Sequence, residues 1–175
     1  SVAPNDVPSF KGVLKRENYD GLNVIWINGP SIASNGIVRI ITWIWFELVV
    51  TLGFFWRAKG PDRILSSSLS LLSVHSGLIL SKRYRAKFYF EVRDIWPLSL
   101  IELAGMSPKN FFVKVPAFTE KLGYKNAEVI IGTMPNLKEH VAEVSPIDQE
   151  KVICVPQGVK LSVFNENGIL VLSPK

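Results

Sequence analysis

Lys87–Pro97 reads KFYFEVRDIWP, and the order of its apolar, charged and proline residues decides the fold class. Lys87 to Val92 is rich in aromatic and apolar side chains, which predicts a strand. Arg93-Asp94 ends it, and Pro97 suits the first turn of a helix that stops near Gly105. Upstream, Pro61-Asp62 introduces a strand from Arg63 to Ser66 that ends in Ser66-Ser67-Ser68, and a helix runs from about Leu71 to Tyr84. Downstream, Ser107-Pro108 starts a helical segment that Pro116 should bend or restart before it closes near Lys125. Ala127 to Ile131 is the next strand, Pro135 to Val144 a short helix, and Lys151 to Val155 a last strand closed by Pro156-Gln157-Gly158. Towards the N-terminus, Leu22 to Ile27 (LNVIWI) reads as a buried strand ended by Asn28-Gly29-Pro30.

Strands therefore alternate with helices, and several strands are continuous apolar runs. The pattern predicts an α/β fold: a Rossmann-like parallel sheet with helices on both faces. The 175 residues suit one domain. With 47% apolar and 20% charged residues the composition is globular. The net charge of +5 suits an anionic partner, but no nucleic-acid-binding motif is present. No Gly-x-Gly-x-x-Gly or phosphate loop follows a strand, which disfavours an unrelated nucleotide binder. One cysteine, Cys154, excludes an internal disulfide and reads as a small core residue in an apolar strand; no Cys/His cluster has metal spacing. Ser1 to Phe10 carry no secretory signal, and the absence of a starting methionine predicts residues upstream.

Ligands of open α/β sheets sit beyond the carboxyl ends of the strands. Three such ends carry polar residues. Ser67 and Ser68, with Ser70 behind them, precede a helix, where free N–H groups can meet an anion; a turn with an N-cap serine is the other reading. At Glu91, Arg93, Asp94 and Trp96, a carboxylate can orient or deprotonate a sugar hydroxyl, a guanidinium can hold phosphate, and an indole can stack on a sugar ring. Equally, Asp94 could cap the helix, Arg93 pair with a carboxylate and Trp96 join the core. Thr133 and Asn136 flank Pro135 at the third end, as site residues or as a simple cap. His75 and His140 lie within helices, in surface or packed roles.

Ile37 to Trp56 is helical and apolar nearly all round, with Arg39 and Glu47 its only charges. Glu47 would be costly at a bilayer centre. The helix embeds partly in a membrane surface, with Arg57, Lys59, Arg63, Lys82, Arg83 and Arg85 near anionic headgroups, or packs against the sheet or against chain outside this sequence; a true transmembrane span ranks third.

Phe90-Glu91-Val92-Arg93-Asp94-Ile95-Trp96-Pro97-Leu98-Ser99 resembles the N-terminal domain of family 4 glycosyltransferases, especially bacterial enzymes of cell-surface polysaccharide and O-antigen synthesis. Further matches are Pro61-Asp62, Leu122 to Ala127, Met134 to Glu139 and Val155-Pro156-Gln157-Gly158-Val159, so the resemblance spans about Tyr19 to Phe164. Gln157 stands where the family usually has asparagine.

The resemblance implies the acceptor-side half of a GT-B fold with its first βα unit missing: residues 1–159 a partial Rossmann-like domain, and 160–175 a linker to an absent donor domain. It implies a retaining, metal-independent transferase that needs no cofactor beyond a nucleotide-sugar donor as co-substrate. The acceptor would be a saccharide, often lipid-linked, handled in the cytoplasm at the inner face of the cytoplasmic membrane. Asp94 would be the catalytic residue. Arg93, Glu91, Trp96, Ser67, Ser68, Thr133 and Asn136 would bind substrate. The chain alone would be inactive. The alternative is a non-catalytic acceptor- and membrane-binding subunit that pairs with a separate donor-domain protein. No nucleic-acid partner is expected, and an exposed sheet edge would let such a piece form a homodimer.

Overall fold

Asp20-Gly21 sits where two short runs of chain reverse direction. Both residues have positive φ, 49° and 86°, as a two-residue hairpin turn of the I′ kind requires. The computed structural model describes residues 10–29, 36–55, 59–68, 70–102, 105–156 and 158. It opens with this hairpin: β1 (Leu14–Tyr19) pairs antiparallel with β2 (Leu22–Ile27), from Leu14↔Ile27 to Tyr19↔Leu22. The expectation of a buried strand at Leu22 is thereby corrected. β2 belongs to a separate two-stranded sheet, and Leu22 is 70% exposed. Glu17 organises one hairpin face. It pairs with Lys15 at 2.6 Å and accepts hydrogen bonds from Trp26 Nε1 (2.6 Å) and Tyr19 OH (2.5 Å). These partners, Lys15 first, hold its carboxyl down at about 2.

The remaining elements are α1 (Gly36–Phe55), β3 (Arg63–Ser67), α2 (Ser73–Tyr84), β4 (Lys87–Val92), α3 (Trp96–Glu102), α4 (Phe111–Asn126), β5 (Val129–Gly132), α5 (Leu137–Val144) and β6 (Val152–Cys154). The four later strands form a parallel sheet in the order β3-β4-β5-β6, flanked by helices. The α/β, Rossmann-like class expected from the sequence is the class observed. The chain groups into two compact units, Ser1–Phe88 and Tyr89–Lys175. The stretch 160–175, expected to be a linker, lies outside the described residues.

In the first unit α2 packs on β3 through Gly77, where a Cβ would collide with Ser66 Oγ and come within 2.7 Å of the Phe88 ring. α1 packs along α2. Arg85 ends α2 in the left-handed region at φ 54°, and Ala86 N–H donates to Ser81 O at 2.9 Å. Among the described residues no helix is long and apolar enough to cross a membrane.

In the second unit, Phe90 and Val92 of β4, Ile130 of β5 and Val152 of β6 are buried together with Val113 and Tyr124 of α4 and Leu137 and Val141 of α5. Gly123 lets α4 approach Phe90, whose ring would stand 2.8 Å from an added Cβ. The opposite row, Tyr89 and Glu91 with Val129 and Ile131, is only half-buried. Pro116 does not restart its segment, because α4 runs through it as one helix. Asn110 caps that helix, its Oδ1 accepting from Phe112 N–H at 3.0 Å. Cys154 is exposed rather than buried. It ends β6, an edge strand of which only Val152 is buried.

Candidate functional site

The register of β4, β5 and β6 aligns Val92, Gly132 and Cys154 in one row. The chain leaves the sheet just beyond that row. After Val92 come Arg93 and Asp94, both exposed, and then Ile95, which is buried and pins the segment. α3 begins at Trp96 with Pro97 in its first turn, where a missing N–H costs nothing. After Gly132 come Thr133, half-buried, and Asn136, exposed at the start of α5. The Asn136 side chain makes no capping hydrogen bond to its own helix. Adjacent strands lie about 5 Å apart, so the structure brings Arg93 and Asp94 together with Thr133 at neighbouring strand ends. Glu91 pairs in register with Ile131, one residue short of that edge and half-buried. The Trp96 side chain lies outside the described residues.

The chemistry available at this edge is recognition of a polar, hydroxyl-rich or anionic group. A carboxylate can accept from a hydroxyl, a guanidinium can clamp phosphate or carboxylate, and an unused amide offers both a donor and an acceptor.

The serine turn belongs to the first unit. Ser66 Oγ donates to Ser73 O, and Ser73 Oγ donates to Ser67 O, both at 2.9 Å. No serine caps α2: its N-cap position is Leu72, without a side-chain cap. Ser68 is completely buried. Ser67 Oγ differs, being buried without a hydrogen-bond partner among the described residues. An unsatisfied hydroxyl at a strand's carboxyl end keeps both its donor and its acceptor capacity.

Two side-chain clusters escaped sequence reasoning. Glu47, in the middle of α1, is bonded by Ser76 Oγ and by Ser70 Oγ at 3.3 Å. Burial raises its carboxyl above the usual range, and the serine hydroxyls oppose that rise. In the second unit Glu120 is buried on α4, accepts from Tyr124 OH at 2.8 Å and meets His140 Nε2 at 3.0 Å. That contact raises the His140 imidazole above its ordinary value against the opposing effect of burial, with Glu143 adding to the rise. His75 is lowered by burial alone. Both histidines are therefore packed. A carboxylate inside an apolar helix, with serines downstream, was the available sign of the first cluster. The Glu120-Tyr124 spacing of one helical turn was the sign of the second.

No family model matches the chain. No curated protein matches it either.

Proposed function

We propose that this chain is the acceptor-side part of a retaining glycosyltransferase that moves a sugar from a nucleotide-sugar donor to a saccharide acceptor, often lipid-linked, in bacterial surface polysaccharide synthesis. The observation that carries the proposal is that Arg93-Asp94 and Thr133 follow directly on Val92 and Gly132, which align at the carboxyl ends of adjacent parallel strands. It adds to the resemblance of the Phe90–Ser99 stretch to family 4 glycosyltransferases. Asp94 would accept a hydrogen bond from the acceptor hydroxyl and orient it, or take its proton, as it attacks the anomeric carbon. Arg93, Thr133, Asn136, Glu91 and Trp96 would hold the acceptor. Positioning and stabilisation of the departing diphosphate, rather than a covalent nucleophile, would supply the rate.

Acceptor binding can be measured on this chain. Saccharide added to 15N-labelled protein should shift amide signals of residues 93–95 and 133–137, and Asp94→Asn should weaken the response with the spectrum otherwise intact. In the enzyme completed by a donor domain, the same substitution should lower kcat by about a hundredfold. Wild-type turnover there would end the proposal.

One observation favours a second reading, a membrane-binding subunit without its own chemistry. Ile41, Ile44, Leu48 and Leu52 form an exposed apolar stripe along α1. If such a subunit is the answer, the chain should bind lipid vesicles and saccharide alike, and Asp94→Asn should leave turnover of its complex with a donor-domain protein unchanged.

A further inference from the structure

α4 carries a second exposed apolar stripe, in the other unit. Its buried face is Val113, Thr119, Glu120, Gly123 and Tyr124. Opposite, at intervals of four and three residues, stand Phe111, Val115 and Phe118, which are 70%, 37% and 65% exposed. At 100° per residue these lie within one narrow strip. Lys114, Lys121 and Lys125, all exposed, form a row along one side of it. The only acidic residue of the helix, Glu120, is buried on the far side. Every exposed charge on α4 is thus positive and borders an aromatic ridge.

We propose that this side of α4 is a docking surface for an anionic lipid bilayer. Contiguous exposed aromatics are unusual on a monomer left in water. Phenylalanine beside lysine is the composition of a helix lying in the membrane interface: the rings enter the acyl boundary and the ammonium groups reach anionic headgroups. A second copy is a poor occupant. Antiparallel two-fold pairing through the ridge would place one lysine row near another. The chain's overall charge of +5 acts in the same direction as the local one. The proposal is independent of the sugar-transfer chemistry and of α1.

The test is sedimentation of the chain with phosphatidylcholine vesicles, with and without phosphatidylglycerol. Wild type should partition to the phosphatidylglycerol vesicles, and less as salt is raised. Phe111→Ser with Phe118→Ser should weaken that partitioning by about tenfold or more, because each ring loses its burial in lipid. Lys114→Gln, Lys121→Gln and Lys125→Gln together should remove the preference for the anionic vesicles. These side chains are exposed, so circular dichroism and melting should stay as in wild type. Leu48→Ser with Leu52→Ser, on α1, separates the two helices: the α4 effect should persist in that background. Wild-type partitioning by the Phe111→Ser, Phe118→Ser variant would overturn the proposal. So would equal binding of wild type to neutral and anionic vesicles, or a wild-type dimer that these substitutions dissolve without changing vesicle binding.

Discussion

Glu120 Oε1 stands 3.0 Å from His140 Nε2 while accepting the Tyr124 hydroxyl at 2.8 Å. A buried carboxylate on α4 therefore holds the imidazole of α5. Protonation turns this contact into an ion pair, and Glu143 on α5 favours the charged imidazole as well. The folded state thus binds the proton more tightly than the unfolded chain. The resulting stabilisation is fully present below the unfolded value of about 6.5 and is lost as pH rises through the higher folded value. His75, lowered by burial, works in the opposite direction over the same range, so the test is a difference: the melting-temperature gap between wild type and His140→Gln should shrink from pH 6 to pH 8. An unchanged gap would refute the coupling.

Glu47 acts in the same direction from the first unit. Burial raises its carboxyl, so the ionised form weakens the fold, and stability should fall as pH rises from about 4.5 through the folded value. Glu47→Gln keeps a partner for Ser70 and Ser76 without the charge. It should leave stability at pH 8 unchanged or raise it by up to about 1 kcal/mol, a modest figure because solvent screens this half-exposed site. Chemical denaturation at pH 5 and pH 8 checks both the sign and the loss of slope.

Glycine-to-alanine changes should have opposite signs at two helical positions. At Gly53 on α1 nothing lies within 4 Å of an added Cβ. Gly53→Ala should therefore stabilise by about 0.5–1 kcal/mol through helix propensity. At Gly123 the added methyl would press on Phe90, which is fully buried and cannot retreat. Gly123→Ala should destabilise by about 1–2 kcal/mol net of the propensity gain. Thermal melts of the two variants compare them directly.

Arg85 ends α2 with a left-handed backbone that a Cβ disfavours. Arg85→Gly should stabilise by about 0.5–1 kcal/mol. Denaturant titration measures it, and destabilisation would show that the arginine side chain contributes more than its backbone strain costs.

The parallel sheet was legible because β3, β4 and β5 each combine a β-rich run with a polar strand end and a helix-period segment after it. Their ends fell within about two residues of the expected positions. The hairpin was missed because β1, LKRENY, is mostly polar and carries no apolar alternation. Asp20-Gly21 was the signal that could have revealed it. Cys154 was misplaced because KVICV is apolar, yet strand order, which makes β6 an edge, is a long-range property. No restart occurs at Pro116, because the helix capped by Asn110 carries it in its second turn. At the site, exposure of Arg93 and Asp94 followed from their place after a strand. The partners of Glu47 did not, since Ser70 and Ser76 lie 23 and 29 residues away in sequence.

The hairpin is a two-stranded ribbon, which water alone would barely keep folded. Its far end is tied to α1: Trp45 Nε1 donates to Asn28 O at 3.0 Å, and Gly29 lies close against Thr42. Cross-strand amides of β1 and β2 should therefore exchange with solvent on the same timescale as those of α1, opening as one cooperative segment. The ribbon would serve as a built-in gauge of whether that apolar helix is seated.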